Sequence, residues 1–329
     1  MSVAVRSFAK INLGLRIGSK REDGFHDLRT VYQTIALHDL VRVEAGRGVG
    51  IEIRCQNPAV PCDETNTCYR IAERVLRVLK TRGKITITIE KRLPVQGGLG
   101  AASSNAIAVM LGMERALKTT IAPEDKLRIA SEVGSDVPLF LVGGTILGLG
   151  RGEQVFPLAD LPAIACVVAT PALGVSTPKA FADWDKLAEI QNGRTALNGG
   201  KLTESVGSDT INGFSRSVLS WLWSSATGVS ARGGGRAEAP LLDLVRAGIE
   251  NDFEQVVFPQ HPELRDVKRV LEVAGARYAS LSGSGSTIYG LFASKDAAQK
   301  GAKKLAANGT AALATTTLTR REYWRNMFV

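Results

Sequence analysis

Val3 and Val5 alternate with small or polar neighbours, and Val41 and Val43 repeat the alternation. Ile51 and Ile53 take it up again after Gly46, Gly48 and Gly50. Alternation at a period of two marks a half-buried strand, so the first 60 residues read as β, with the glycines as a turn. Over 64–81 the spacing changes, and Ile71, Val75, Leu76 and Leu79 fall on one side of a helix. Lys84–Glu90, KITITIE, is the clearest strand, with Ile85, Ile87 and Ile89 on one face and Thr86, Thr88 and Glu90 on the other. It runs into a glycine-rich loop, Pro94–Ala102. A helix then begins at Ser103-Ser104-Asn105, and Ile107, Val109, Met110, Leu111 and Met113 surround it with apolar surface, which predicts burial. A shorter helix over 123–133 ends near Gly134, and 136–149 reads as an apolar turn followed by a strand.

A second unit starts near Ile164, where IACVVAT predicts a buried strand. Pro262 opens a helix whose Leu264, Val267, Leu271 and Ala274 share a face, and Gly275 stops it. A strand over 278–281, the turn Ser282-Gly283-Ser284-Gly285-Ser286 and a strand through Ile288 and Leu291 follow. Ser294 caps a final helix that ends at Asn308-Gly309. This succession predicts an α+β domain of ferredoxin-like character. Residues 186–238, rich in Gly, Ser and Arg towards their end, read as irregular.

Length agrees with two domains, because a single core rarely grows past about 250–300 residues and the chain has 329. Lys and Arg exceed Asp and Glu by 41 − 32 = 9. A basic surface suits acidic ligands without choosing among nucleotide, nucleic acid and anionic membrane. The four cysteines form no C-x-x-C pair and no His stands at zinc-ligand spacing from them. Neither a signal peptide nor a membrane span is legible, and a cytoplasmic protein with reduced thiols is expected.

The segment 94–105, PVQGGLGAASSN, joins a strand to a helix. Bare backbone amides and the positive end of the helix together make a phosphate cradle. It lacks the Lys of G-x-x-x-x-G-K-[ST], and Ala101, Ala102 and Ser103 depart from G-x-G-x-x-G, so by itself it is equally a tight turn. FAKIN at 8–12 and LSGSGST at 281–287 complete a set of three motifs that resembles the GHMP kinases. Residues 8–39, GSDVPLFLVGG at 134–144, GVSTPKAF at 174–181 and NDFE at 251–254 are similar to landmarks of one branch of that family. That branch phosphorylates 4-diphosphocytidyl-2-C-methyl-D-erythritol in non-mevalonate isoprenoid precursor synthesis.

The resemblance implies an α+β two-domain fold: an N-terminal α/β ATP-binding domain over 1–162 and a C-terminal ferredoxin-like domain over 163–329, with the active site in the cleft. It implies ATP and Mg²⁺ as cofactors, with the metal's protein ligands unassigned. Lys10 and Asp136 would be catalytic, Asp136 as base, although its place before Pro138 equally fits a helix cap. ATP would touch Asn66, Lys91, Pro94, Gly97, Gly98, Leu99, Gly100, Ala101, Ala102, Ser103 and Ser104. Asn66 also reads as a cap. The substrate would meet Asn12, Phe25, His26, Tyr32, Asp136, Thr177 and Phe181, the aromatic residues stacking on cytosine. Gly283, Ser284 and Gly285 would support the phosphate loop. The family commonly has glycines where Ala101 and Ala102 stand, and both are expected to be tolerated if the helix start needs only right-handed backbone. A monomer or weak homodimer without nucleic-acid or membrane partners is expected. Three rivals remain at this stage: a GHMP kinase for another alcohol, such as homoserine, mevalonate or a sugar; a non-catalytic ligand-binding relative; and a nucleic-acid binder, which rests only on the basic charge and the SARGGGRA tract.

Overall fold

The alternating segments assemble into two sheets. The computed structural model describes residues 2–95, 97–197 and 250–329. β1 (Ser2–Lys20) and β2 (His26–Gly46) form a long antiparallel hairpin whose register runs from Ser2 opposite Glu44 to Lys20 opposite His26. The register shifts at Phe8/Ala9, Asn12/Gly14 and Ile17/Lys20. Such irregularities bend a strand and re-aim its side chains. The other edge of β2 is shared. Its residues 40–46 pair with β4 (Lys84–Glu90) and its residues 30–33 with β5 (Thr145–Leu149). β3 (Gly50–Cys55) adds to β4 in parallel, with α1 (Thr67–Val78) in the crossover that a parallel pair requires. β6 (Gln154–Pro157) closes the sheet on β5.

α1, α2 (Ala101–Leu117) and α3 (Pro123–Val133) join one face of this sheet in a common core, where Val5, Val43, Ile85 and Ile87 share a cluster with Ile71, Val75, Ile107 and Ile129. The second sheet has the order β10-β7-β9-β8, from β7 (Ala165–Ala169), β8 (Tyr278–Leu281), β9 (Ile288–Phe292) and β10 (Ala312–Thr316). All its pairs are antiparallel. With α6 (Pro262–Val273) before β8 and α7 (Lys295–Ala307) before β10, it has the ferredoxin-like succession expected. Every residue of β7 is buried because it serves two cores. Cys166 and Val168 pack with Ile11 and Leu13 of the first sheet, while Ala165 and Val167 pack with Leu264 and Leu271 of α6. The layers are therefore helices, sheet, sheet, helices.

Several elements differ from the sequence reading. α2 begins at Ala101, two residues before the expected Ser103. The stretch read as irregular from 186 is helical at its start, because α4 (Thr177–Leu197) continues through it. Its apolar residues form no clean stripe and Gly193 interrupts it, so the pattern gives little warning. The rest of 186–238, from 198 onwards, lies outside the described residues. α5 (Glu254–Gln260), β10 and α8 (Arg320–Arg325) were not foreseen, so α7 is not the last helix. The Thr319-x-x-Glu322 spacing is the available signal for α8. The Glu322 N–H donates to Thr319 Oγ1 (3.2 Å) while Glu322 Oε2 accepts from the Thr319 N–H (3.0 Å), a complete capping box.

β6 ends at Pro157 and β7 begins at Ala165, yet residues 318–329 return to the first core. Leu318, Tyr323 and Met327 are buried in the first core. The Arg6 N–H donates to the Met327 carbonyl (2.7 Å), and the Tyr323 hydroxyl donates to the Phe140 carbonyl (2.7 Å). Among the described residues no helix is long and apolar enough to cross a membrane. Tyr323→Phe removes a buried donor and strands a carbonyl, and is expected to cost about 1–2 kcal/mol, measured by urea unfolding.

Candidate active site

Lys10 lies in the middle of β1, and only 3% of its surface is exposed. An ammonium so buried needs partners, since desolvation of an uncompensated charge is prohibitive. Its Nζ donates to Asn12 Oδ1 (2.7 Å) and lies 3.3 Å from Asp136 Oδ2. Asn12 is fixed in turn, donating through Nδ2 to Thr30 Oγ1 (2.8 Å), which donates to the Gly14 carbonyl (2.8 Å). Asn12 thus orients Lys10.

Asp136 follows α3 and precedes a 3₁₀ turn, Pro138–Leu141, whose cap position is Val137 and has no side-chain capping bond. The cap reading of Asp136 therefore falls. Its Oδ1 accepts from the Tyr32 hydroxyl (2.9 Å). Burial holds the Tyr32 phenol well above its ordinary range, and the charge of Asp136 raises it further. Tyr32 stays protonated and serves as a standing donor. The Asp136 side chain itself is 35% exposed, so one carboxylate is held from behind and open in front.

The 94–102 loop approaches these groups from β4. Its left-handed residues are Gly98 (φ +75°) and Gly100 (φ +68°). A Cβ at Gly98 would lie 2.1 Å from the Ser282 carbonyl oxygen, so only glycine fits. Ser282 also donates its hydroxyl to the Gly98 carbonyl (3.0 Å), and the Lys10 N–H donates to the Leu99 carbonyl (2.9 Å). Ala101 and Ala102 are the first residues of α2 and lie outside the left-handed region. Their methyl groups cost the loop no strain. Gly100 caps α2 without a side-chain bond, so the amides of the first turn are free to meet an anion.

Two cavities meet at this loop. One, of about 640 Å³, is lined by Lys10, Asn12, Tyr32 and Asp136 and by Phe25, His26, Thr177 and Phe181. Gly283 and Ser284 also line it. The other, of about 370 Å³, is lined by Asn66, Lys91, Pro94, Gly97, Leu99, Ala101 and Ala102. Gly98, Gly100 and Ser103 line both. Ser104 is buried in α2 and, like Gly285, lines neither.

At the far end of the larger cavity the two halves touch. The His26 ring stacks on Phe181 (4.9 Å between centroids, 9° between planes) and Phe181 meets Phe253 edge-on. Thr177 Oγ1 and Ser284 Oγ are 2.7 Å apart. His26 begins β2 and Tyr32 lies within it. The sequence reading missed Asp185, which binds His26 Nε2 (2.6 Å) and Lys20 Nζ (3.0 Å). Burial pushes the Asp185 carboxyl up, but these bonds outweigh it and hold it below its usual range.

Two expected contacts prove to have structural work of their own. Asn66 is the N-cap of α1, accepting from the Cys68 N–H (2.8 Å) and donating to the Pro61 carbonyl (2.6 Å). Lys91 is bound to the fully buried Asp39 (2.5 Å). Asp39 also accepts from the N–H groups of Arg92 and Leu93 (2.7 Å each) and from Asn105 Nδ2 (3.1 Å), tying β2 to the entry of the loop and to α2. The NDFE segment, without an assigned role in the sequence, joins the halves. Asn251 Nδ2 donates to the carbonyls of Leu281 and Gly283 (2.8 Å each). Asp252 accepts from the Ile17 N–H (2.8 Å) and from Arg16 (2.6 Å).

Comparison with known proteins fits this arrangement. The sequence model described as "GHMP kinases N terminal domain" matches residues 66–144, and "GHMP kinases C terminal" matches 237–311. A 4-diphosphocytidyl-2-C-methyl-D-erythritol kinase of Solibacter usitatus (strain Ellin6076) is 37% identical over 323 residues, 98% of this chain and 91% of the relative. The chain belongs to the GHMP kinase family. It is an ATP-using small-molecule kinase. The crystal structure of a 4-(cytidine 5'-diphospho)-2C-methyl-D-erythritol kinase superposes with a TM-score of 0.71 at 30% identity, covering 96% of this chain and 99% of that one. A homoserine kinase from Cytophaga hutchinsonii ATCC 33406 shares the fold, with a TM-score of 0.67 at 21% identity over 97% and 95% of the two chains.

Gly98→Ala in this kinase forces a Cβ against the Ser282 carbonyl. ATP affinity is expected to fall about tenfold or more, since steric displacement of the loop amides removes charge-assisted bonds of about 1.5–3 kcal/mol each, as titration calorimetry would read. Ala102→Gly, at a right-handed position, is expected to leave that affinity unchanged.

Proposed function

We propose that this kinase transfers the γ-phosphoryl group of ATP to the 2-hydroxyl of 4-diphosphocytidyl-2-C-methyl-D-erythritol, giving the 2-phosphate and ADP on the route to isoprenoid precursors. The observation that carries the reading is the shared wall. Gly98, Gly100 and Ser103 border both cavities, and Lys10 and Asp136 stand on the side opposite the smaller one. Adenosine occupies the smaller cavity, near Asn66 and Lys91, and the phosphates lie along residues 97–103 at the start of α2. The alcohol approaches from the larger cavity, with its cytosine among Phe25, His26 and Phe181. The names of the relatives support this choice of substrate.

Asp136 accepts the hydroxyl proton as the oxygen attacks phosphorus. Tyr32 holds one carboxylate oxygen, leaving the other towards Lys10 and the open cavity. The ammonium of Lys10 favours the ionised carboxylate and balances charge on the phosphoryl group in flight. Most of the remaining work is alignment of the two reactants, which the rigid loop and the Asn12–Lys10 bond supply. Ser284 and Gly283 close the loop from the second half.

Mg²⁺ belongs to the same reading. It commonly takes one or two protein oxygens and completes its shell from phosphates and water. Ser103 and Asp136 line the larger cavity and fit that need, and no cluster of three acidic, His or Cys residues occurs among the described residues. When bound, the ion neutralises phosphate charge. In this reading the acting unit is a monomer or weak homodimer. Four free cysteines support a reducing, cytoplasmic setting.

Purified protein with ATP, Mg²⁺ and the substrate is expected to give a new phosphomonoester by ³¹P NMR, and homoserine, mevalonate or a sugar is expected to compete poorly. Preferential turnover of any of those alcohols would replace the substrate assignment. Asp136→Asn is expected to lower kcat about 10²–10⁴-fold with ATP affinity retained. Turnover equal to the parent's would remove Asp136 from the chemistry.

A further inference from the structure

The larger cavity carries three cationic side chains besides its histidine: Lys10, Lys20 and Arg151. Two of them face carboxylates of the same wall, Lys10 at 3.3 Å from Asp136 and Lys20 at 3.0 Å from Asp185. Arg151 differs. Its acidic neighbours, Glu153 and Asp23, do not line the cavity: Glu153 approaches the guanidinium only to 3.8 Å, and Asp23, paired with Arg21 at 3.3 Å, acts on Arg151 only through space. Glu153 is instead engaged by the Arg151 backbone N–H at 2.7 Å. The positive charge of Arg151 therefore remains largely available to the cavity.

Its position is set by the turn between β5 and β6. Gly152 has φ +102°, and a Cβ there would lie 2.5 Å from the Tyr32 hydroxyl oxygen and 3.8 Å from Asp136 Oδ1. The turn is thus pressed against the catalytic end of the cavity. The Arg151 guanidinium itself lies over the Phe25 ring, 4.9 Å from its centroid, at the aromatic end. Arg151 spans the interval between the two ends.

We propose that Arg151 is the residue that recognises the diphosphate of the substrate. This rests on the substrate reading above. In a cytidine diphosphate ester the base and the reacting alcohol are separated by the ribose and the diphosphate. With the base among Phe25, His26 and Phe181 and the alcohol at Asp136, the diphosphate falls between them. A planar guanidinium matches paired phosphate oxygens with two parallel bonds, and Phe25 beneath it holds its plane. Alcohols lacking that anion, such as homoserine, gain nothing from Arg151, so the residue also selects the substrate class.

The test compares the parent, Arg151→Gln and Arg151→Lys by initial rates at saturating ATP, with CDP and cytidine as competitive inhibitors. Arg151→Gln is expected to raise the KM of the substrate and the Ki of CDP about 10–100-fold, the range for a hydrogen bond between charged groups. The Ki of cytidine and the KM of ATP should stay put. Arg151→Lys should recover part of the loss, keeping the charge without the fork. If the Gln variant melts early, the Lys variant carries the test through a loss confined to CDP. Equal weakening of CDP and cytidine would make Arg151 a support for Phe25, and an unchanged CDP constant would also overturn the proposal. Absence of turnover by the parent would instead sink the substrate reading, and calorimetry with CDP and cytidine would still decide Arg151.

Discussion

The site depends on an ammonium group buried in the middle of a β-strand. Lys10 alternates with the apolar Ala9 and Ile11, and its own face of the strand is buried as well, so a charge is enclosed where sheet faces usually carry polar groups into water. Its charge is tolerable there only because Asn12 and Asp136 answer it. That demand links distant parts of the chain. Asn12 must be turned towards it by Thr30, Asp136 must be carried to it by the end of α3, and Tyr32 must bear on Asp136 from behind. The register shifts that bracket Lys10 in β1 belong to the same local geometry.

The second sheet completes the arrangement rather than merely covering it. Ser282 presses its carbonyl into the space a side chain would need at Gly98 and donates its hydroxyl to the same residue. The 281–287 turn is itself held by Asn251, while the neighbouring Asp252 is bound to β1. The phosphate loop is therefore positioned from both halves of the molecule, and its two left-handed glycines are the residues where backbones come closest.

Much of this was legible in residue order. The alternation in 84–90, the helix over 262–273 and the buried strand at 165–169 follow from periods of two and 3.6, since each rests on many residues agreeing. The glycine-rich loop and the three motifs marked the cleft, and most residues named from them line one of its two cavities. What was missed depends on partners far off in sequence. Asp39 and Asp185 look like ordinary surface acids until folding brings Lys91 and His26 to them. The burial of Lys10 was equally hidden, because no local pattern reports a carboxylate more than a hundred residues away. Ser104 looked equivalent to Ser103, but successive helix residues point about 100° apart, so the half-buried Ser103 lines the cavities and Ser104 turns into the core.

Residues 318–329 tie the two halves of the fold to one core. Leu318, Tyr323 and Met327 fill part of the core that the first residues began, and Val329 donates its N–H to the Ala4 carbonyl. The first core is therefore complete only when segments from both sides of the second sheet have met, so loosening the second sheet also loosens the core that carries Lys10 and Asp136.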